Sequence, residues 1–161
     1  MMVDPMILLV RAGYAMRLPS GWREVVLEPP VAGGNEGSFI TEGHLVRIDR
    51  VMSSVIPVTA LMGTLSYQSR RAFDGYEPSD GREIIVVGAY RARTRHTVVE
   101  DPGLSDIMAE LFVEGMDGNM WYVRISGPRY VFDGELSDRI IDSFQVLIPS
   151  SPPATSVGGP Q

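Results

Sequence analysis

The sequence predicts an α+β fold with a mainly antiparallel sheet of about six strands and two principal helices. Several stretches alternate apolar and polar residues, which is typical of strands with one buried face. Short turn sequences join neighbouring strands, and such connections favour antiparallel pairing. Two segments, one mid-chain and one near the end, carry apolar residues at helical spacing.

The length of 161 residues favours a single domain. We place this domain at residues 1–148. Residues 149–161 contain no charged side chain and are rich in Pro, Ser and Gly, so they are predicted to be a disordered tail.

The charge balance and the absence of cysteine argue against several classes of function. Twenty acidic against 14 basic residues give a net charge of −6, which argues against a nucleic-acid partner. The absence of cysteine excludes disulfides, thiolate metal sites and a thiol nucleophile. The apolar run at 6–10 is too short for a signal-peptide core or a membrane span. We therefore expect a cytoplasmic protein that is not membrane-inserted.

The N-terminal third is predicted to be β-rich. Residues 13–29 indicate two short strands around a turn at 19–21, with Trp22 as a core residue. Residues 29–37 have the composition of a loop. Residues 38–52 alternate as a strand or a hairpin, with a break at 42–43.

The middle of the chain predicts one helix and one long strand region. Residues 57–73 have helical spacing, and Pro57 suits the start of a helix. Gly63 costs that helix about 1 kcal/mol relative to alanine. Residues 83–99 follow as a strand region with an interruption at Gly88.

The C-terminal third predicts a hairpin and a helix. Residues 104–126 form two strand-like runs around Asp117–Gly118, a pair typical of a type I′ turn. Residues 132–149 then predict a helix with Asp133 as its N-cap, followed by a short strand at 146–148.

Three arginines occupy alternate positions of the long strand region, so Arg91, Arg93 and Arg95 share one face. If this strand pairs antiparallel with the next one, Arg95 lies opposite Glu110 and Arg91 opposite Glu114. Directly opposed unlike charges stabilise a sheet by roughly 0.2–1 kcal/mol each. The pattern therefore favours a partly exposed face of internal ion pairs.

The alternative is that the same arginines recruit an acidic partner segment. Arg93 would lie opposite Phe112, without an obvious counter-ion. If a partner surface exists, we expect it on this face, with Phe112 and Trp121 as apolar neighbours of the three arginines.

No catalytic constellation emerges from the sequence. His44 and His96 lie on different predicted strands and have no carboxylate at metal-ligand spacing. No nucleophile elbow occurs, and the glycine-rich stretch at 32–37 lacks the lysine and helix of a phosphate-binding loop. We expect no catalytic residues, no metal and no cofactor.

The chain resembles the PsbP-like αβα-sandwich superfamily, which includes PsbP, Mog-type proteins, LpqN lipoproteins and Eag-type effector chaperones. Four segments carry the resemblance, namely "YAMRLPSGW" (14–22), the helix 57–73 with "GREIIVV" (81–87), "LFVEGMDGNMWYVRISGP" (111–128) and "LSDRIIDSFQV" (136–146). It implies an αβα sandwich that binds proteins and is not an enzyme.

The expected function is thus a protein-binding module, an adaptor or chaperone for a secreted or assembly partner. The alternative is a small-molecule or lipid carrier with an apolar cavity between sheet and helices. A hydrolase with a scattered site is the third hypothesis. Homo-oligomerisation stays open.

Overall fold

The computed structural model describes residues 5–26, 34–51 and 56–149. The predicted tail lies outside these residues except for Pro149. Within them the chain forms two helices, α1 (Val58–Ala72) and α2 (Gly134–Ser143). It also forms eleven strands, whose bounds in chain order are β1 (Met6–Arg11), β2 (Tyr14–Pro19), β3 (Arg23–Glu24), β4 (Gly34–Thr41), β5 (His44–Val51), β6 (Gly75–Pro78), β7 (Arg82–Glu83), β8 (Ala89–Asp101), β9 (Leu104–Gly115), β10 (Met120–Pro128) and β11 (Gln145–Val146).

The strands belong to two antiparallel sheets. The large sheet has eight strands in the order β3-β4-β5-β10-β9-β8-β6, with β7 also paired to β8. The small sheet has three strands in the order β1-β2-β11. A single parallel bridge between Val87 and Gln145 connects the start of β8 to the small sheet.

The large sheet is covered on both faces. Side chains alternate along a strand, so odd and even positions of β9 and β10 point to opposite sides. Leu111 and Val123 join a core with the small sheet and α2. Phe112 and Tyr122 join a second core with α1. The fold thus has three layers, with α1 on one side and the small sheet with α2 on the other.

The predicted fold class is wrong. The chain is mostly β, with an eight-stranded and a separate three-stranded sheet, and is not an αβα sandwich around about six strands. The second sheet packs on the large sheet through β2. Tyr14, Met16 and Leu18 are wholly buried against the large sheet, whereas Arg17 between them is exposed. β1 and β11 pair with β2 and complete this separate layer.

Both predicted helices form. α1 begins directly after Pro57 and buries Leu61, Met62 and Leu65 against the sheet. α2 begins after Asp133, whose carboxylate accepts a hydrogen bond from the backbone N–H of Leu136 at 3.1 Å. This contact satisfies a backbone donor that the first helical turn leaves unpaired.

Two local predictions differ from the structure. Residues 34–37 are part of β4 and not a loop, while residues 29–33 lie outside the described ranges. The turn between β9 and β10 is not type I′, because only Gly118 has a positive φ, of 83°. The connection covers residues 116–119, and within it the N–H of Gly118 donates to the carbonyl of Gly115 at 3.1 Å.

Candidate functional site

The structure has the strand register that the sequence indicated. β8 and β9 pair so that Arg95 lies opposite Glu110, Arg93 opposite Phe112, and Arg91 opposite Glu114. This face points toward α1, because its neighbours on β9 and β10 belong to the α1 core. The helix covers one end of the arginine row and leaves the other end open.

Arg95 and Glu110 form an ion pair in the interior. The Nε–H of Arg95 donates to Oε1 of Glu110 at 2.9 Å, and the side chains are only 4% and 2% exposed. Arg95 also lies over the ring of Phe112, with its guanidinium carbon 4.9 Å from the ring centroid. The prediction of a partly exposed pair is therefore wrong for Arg95, because α1 buries it.

A hydrogen-bonded network surrounds this pair. Arg95 donates to the hydroxyls of Ser66 on α1 (2.8 Å) and Tyr76 on β6 (2.9 Å). Glu110 accepts from Thr97 at 2.6 Å and from the phenol of Tyr122. Burial and the neighbouring Glu110 carboxylate raise the pKa of Tyr122 well above its usual value. The phenol therefore stays protonated and donates, so both oxygens of Glu110 are occupied.

The other two arginines lie nearer the surface. Arg93 is half-buried, and its Nη2 donates to the backbone carbonyls of Asp80 (3.2 Å) and Gly81 (3.3 Å). Arg91 is exposed and follows a β-bulge at Tyr90. Bulges re-aim side chains, and here Tyr90 is 68% exposed. Of the predicted arginine face, only this end is open to solvent.

The two predicted apolar neighbours lie on opposite faces of the large sheet. Phe112 is in the α1 core and Trp121 is in the core beneath the small sheet. Both are 0% exposed. Trp121 packs edge-on against Tyr14 at 5.7 Å and donates its indole N–H to Asp117 at 3.1 Å. Each acts as a core residue in this conformation.

The histidines have structural contacts. Nε2 of His44 accepts from the backbone N–H of Asp133 at 2.9 Å, which ties β5 to the start of α2. Nε2 of His96 lies 3.7 Å from a carboxylate oxygen of Asp138, and both side chains are about half exposed. In the described ranges no three His, Cys, Asp or Glu side chains converge as metal ligands would.

Sequence reasoning missed an apolar surface at the edge of the small sheet. β1 pairs with β2 on one side only, so its other edge is open in the described structure. Ile7, Leu8 and Val10 are 45%, 48% and 54% exposed. The signal was present in the apolar run at 6–10, which sequence reasoning weighed only as a leader or membrane segment.

Neither described helix is long and apolar enough to cross a membrane.

Comparisons with known proteins add a likeness of fold. No protein-family model and no curated protein matches the chain. Among solved structures, the chain is similar to PA94 from Pseudomonas aeruginosa, a protein of unknown function described as a candidate regulator. The TM-score is 0.53 at 11% identity, and the match covers 91% of this chain and 99% of that chain. The resemblance to the PsbP-like superfamily stays a prediction.

Proposed function

We propose that the protein is a non-enzymatic, cytoplasmic protein-binding module that holds an extended apolar segment of its partner along β1. The superfamily that the chain resembles contains chaperones, and a module of this kind would act as an adaptor or chaperone for its partner. The observation that carries the proposal is the open edge of β1 with its exposed apolar side chains.

The geometry of β1 suits the addition of another strand. An edge strand presents unpaired backbone N–H and C=O groups to an incoming chain. In peptide recognition of this kind the main chain supplies affinity and alternate side chains supply selectivity. Leu8 and Val10 share the outer face of the small sheet, opposite Arg17 and Ala15 of β2. An apolar partner segment would cover both side chains.

The buried carboxylates support a binding role over catalysis. Glu110 is held by Arg95, Thr97 and Tyr122, as described above. Asp49 is 0% exposed and accepts from Arg47 at 3.2 Å and Asn35 at 2.9 Å. Carboxylates fixed in this way stabilise the interior and are not presented to a substrate.

The alternative carrier function has one cavity in its favour. A cavity of about 230 Å³ lies between α1 and the large sheet, lined by Leu65, Phe73, Met108 and Arg124 among others. Pockets for drug-sized ligands span about 300–1,000 Å³. This cavity lies below that range, so it does not by itself support a lipid cargo.

The test compares the full-length chain with two variants as bait in a lysate of its native cell. Leu8→Lys/Val10→Lys puts charge on the exposed β1 side chains without touching the core. Tyr130→Lys is the control for a lysine added at an exposed apolar position elsewhere, because Tyr130 is 90% exposed and lies in the turn after β10. We expect a partner that the wild type and the control recover and that the β1 variant loses.

Hydrogen exchange on the purified complex then locates the contact. The proposal requires new protection at the β1 backbone when the partner binds. Equal recovery by all three baits would contradict it. Protection confined to the residues around Arg91, at the open end of the arginine row, would also contradict the proposal. Arg91→Glu is the variant that would then test that surface. Protection of β1 by a second copy of the chain would show self-association in place of partner binding.

A further inference from the structure

A second feature lies on the opposite face of the large sheet and does not depend on the function proposed for β1. We propose that the cleft between α1 and the connection from β6 to β7 binds the phosphate group of a small soluble phosphate ester. The arginines that carry the proposal are Arg70 and Arg71 on the helix and Arg95 on the sheet.

The cleft is open and has a volume of about 490 Å³. One wall is α1, the other is the segment at Ser79–Asp80, and buried Arg95 lines the cleft between them. This volume exceeds what a free phosphate ion fills, so the cleft has room for the organic part of an ester. Met62 and Tyr67 supply apolar and aromatic surface along the same helix.

The polar groups of the cleft are mostly donors. The hydroxyl oxygen of Ser66 already accepts from Arg95 at 2.8 Å, and that of Ser79 accepts from the backbone N–H of His96 at 3.0 Å. Each hydroxyl therefore has its own hydrogen left to donate. A guanidinium carries five N–H donors, and Arg95 uses three of them on Glu110, Ser66 and Tyr76.

Such a donor set matches a phosphate better than a carboxylate. A carboxylate offers two oxygens, whereas a phosphate monoester offers three terminal oxygens that accept strong, charge-assisted hydrogen bonds. Arg70 and Arg71 together with two serine hydroxyls exceed what one carboxylate can use. Arginine also suits phosphate because its planar fork binds two oxygens at once.

The charge of the cleft is positive in a chain whose net charge is −6. Three guanidiniums line the cleft, Glu110 pairs with that of Arg95, and Asp80 adds one carboxylate to the lining, which leaves one positive charge in excess. Within the described ranges, neither Arg70 nor Arg71 lies at ion-pair distance from a carboxylate. Arg71 instead donates to the phenol oxygen of Tyr67 at 3.2 Å and lies over its ring. Its charge is available to an anion.

Gly63 of α1 is part of the cleft wall. A glycine in a helix interior destabilises the helix, yet here it lines the cleft, and a Cβ at this position would meet no atom within 4 Å. Packing therefore does not require glycine. A larger side chain at this position would extend into the cleft without a clash in the core.

The test uses the full-length chain and AMP as the probe, with binding followed by titration calorimetry at low ionic strength. We expect saturable AMP binding that weakens as salt rises. Arg70→Gln/Arg71→Gln should weaken it roughly tenfold or more, because each removes a charged hydrogen-bond donor. Gly63→Leu should also weaken it while the far-ultraviolet circular dichroism stays unchanged.

Matched controls separate the site from general charge. Arg139→Gln removes one positive charge, as each of the two cleft substitutions does, at an exposed position of α2 on the other side of the large sheet, and should leave AMP binding intact. Adenosine, which lacks the phosphate, should not bind.

Three outcomes would overturn the proposal. These are no saturable AMP binding at millimolar concentration, equal loss with Arg139→Gln, and unchanged binding by the double variant. Binding only to phosphatidic acid vesicles would identify a lipid head group as the source of the phosphate and exclude a soluble ester.

Discussion

Arg95 and Glu110 face each other across β8 and β9 and form an ion pair that α1 shields from solvent. An isolated buried charge is costly, so this pair depends on the hydroxyls around it as much as on its partner. Ser66 belongs to the helix, Tyr76 to β6, and Tyr122 to β10. The pair therefore connects five elements of the fold, and its hydrogen bond with Ser66 ties α1 to the sheet.

Replacing one partner of this pair should destabilise the protein strongly. Arg95→Met leaves Glu110 buried without its counter-ion, which costs about 3–5 kcal/mol in the free energy of unfolding. Urea denaturation followed by circular dichroism measures the change. Arg17→Met is the control, since Arg17 is exposed and should shift stability by about 0.5 kcal/mol or less. Similar losses in both variants would show that the pair does not stabilise the fold as described.

Alkaline pH should destabilise the protein through its buried tyrosines. Burial raises the pKa of Tyr14 to about 12, above the ordinary value of 10. Because the folded state holds the proton more tightly, this contribution to stability is complete below pH 10 and is lost as pH rises toward about 12. Urea midpoints measured across this window should fall with pH.

Tyr14→Phe should make that fall less steep, because phenylalanine does not titrate. Tyr130→Phe, at a residue that is 90% exposed, should leave the slope unchanged. An identical slope in the wild type and in Tyr14→Phe would mean that Tyr14 does not contribute to the pH dependence.

Gly88 should tolerate no side chain. Its φ is +84°, and a Cβ there would collide with the backbone carbonyl of Val146. This is where the two sheets meet, since the N–H of Val146 donates to the carbonyl of Val87 at 2.9 Å. Gly103 has a similar φ of +83° but open space around it.

The two glycines separate backbone strain from steric conflict. Gly103→Ala should lower the free energy of unfolding by about 1–2 kcal/mol, because alanine must adopt a left-handed backbone conformation there. Gly88→Ala should lower the free energy of unfolding by about 1–3 kcal/mol more than Gly103→Ala, because the two sheets must also move apart. Thermal unfolding of both variants measures the difference, and equal effects would contradict the close approach.

Periodicity within single segments was enough to predict much of the local structure. α1, α2 and the Asp133 cap follow from helical spacing and end chemistry. The register of β8 against β9 followed from pairing unlike charges. Both kinds of inference depend on residues close in sequence or joined by a short connection.

The layer arrangement depended on contacts that sequence patterns do not encode. The same alternation is expected whether a strand joins the large sheet or a separate one, so the place of β2 could not be read from Tyr14, Met16 and Leu18 alone. The exposure of Arg95 was misjudged because its contact on α1, Ser66, lies 29 residues earlier in the chain and the helix covers only one end of the arginine row. The cleft likewise combines α1 with Arg95 of β8, a residue far from the helix in sequence.

The edges of the two sheets differ in length. The large sheet ends in β3 and β6, of two and four residues, whereas β1 at the border of the small sheet has six. Short edge strands resist pairing with other chains, whereas a long apolar edge strand favours it. Under the function proposed for β1, a partner segment would cover these six residues, and without it they would be open to pairing between copies of the chain.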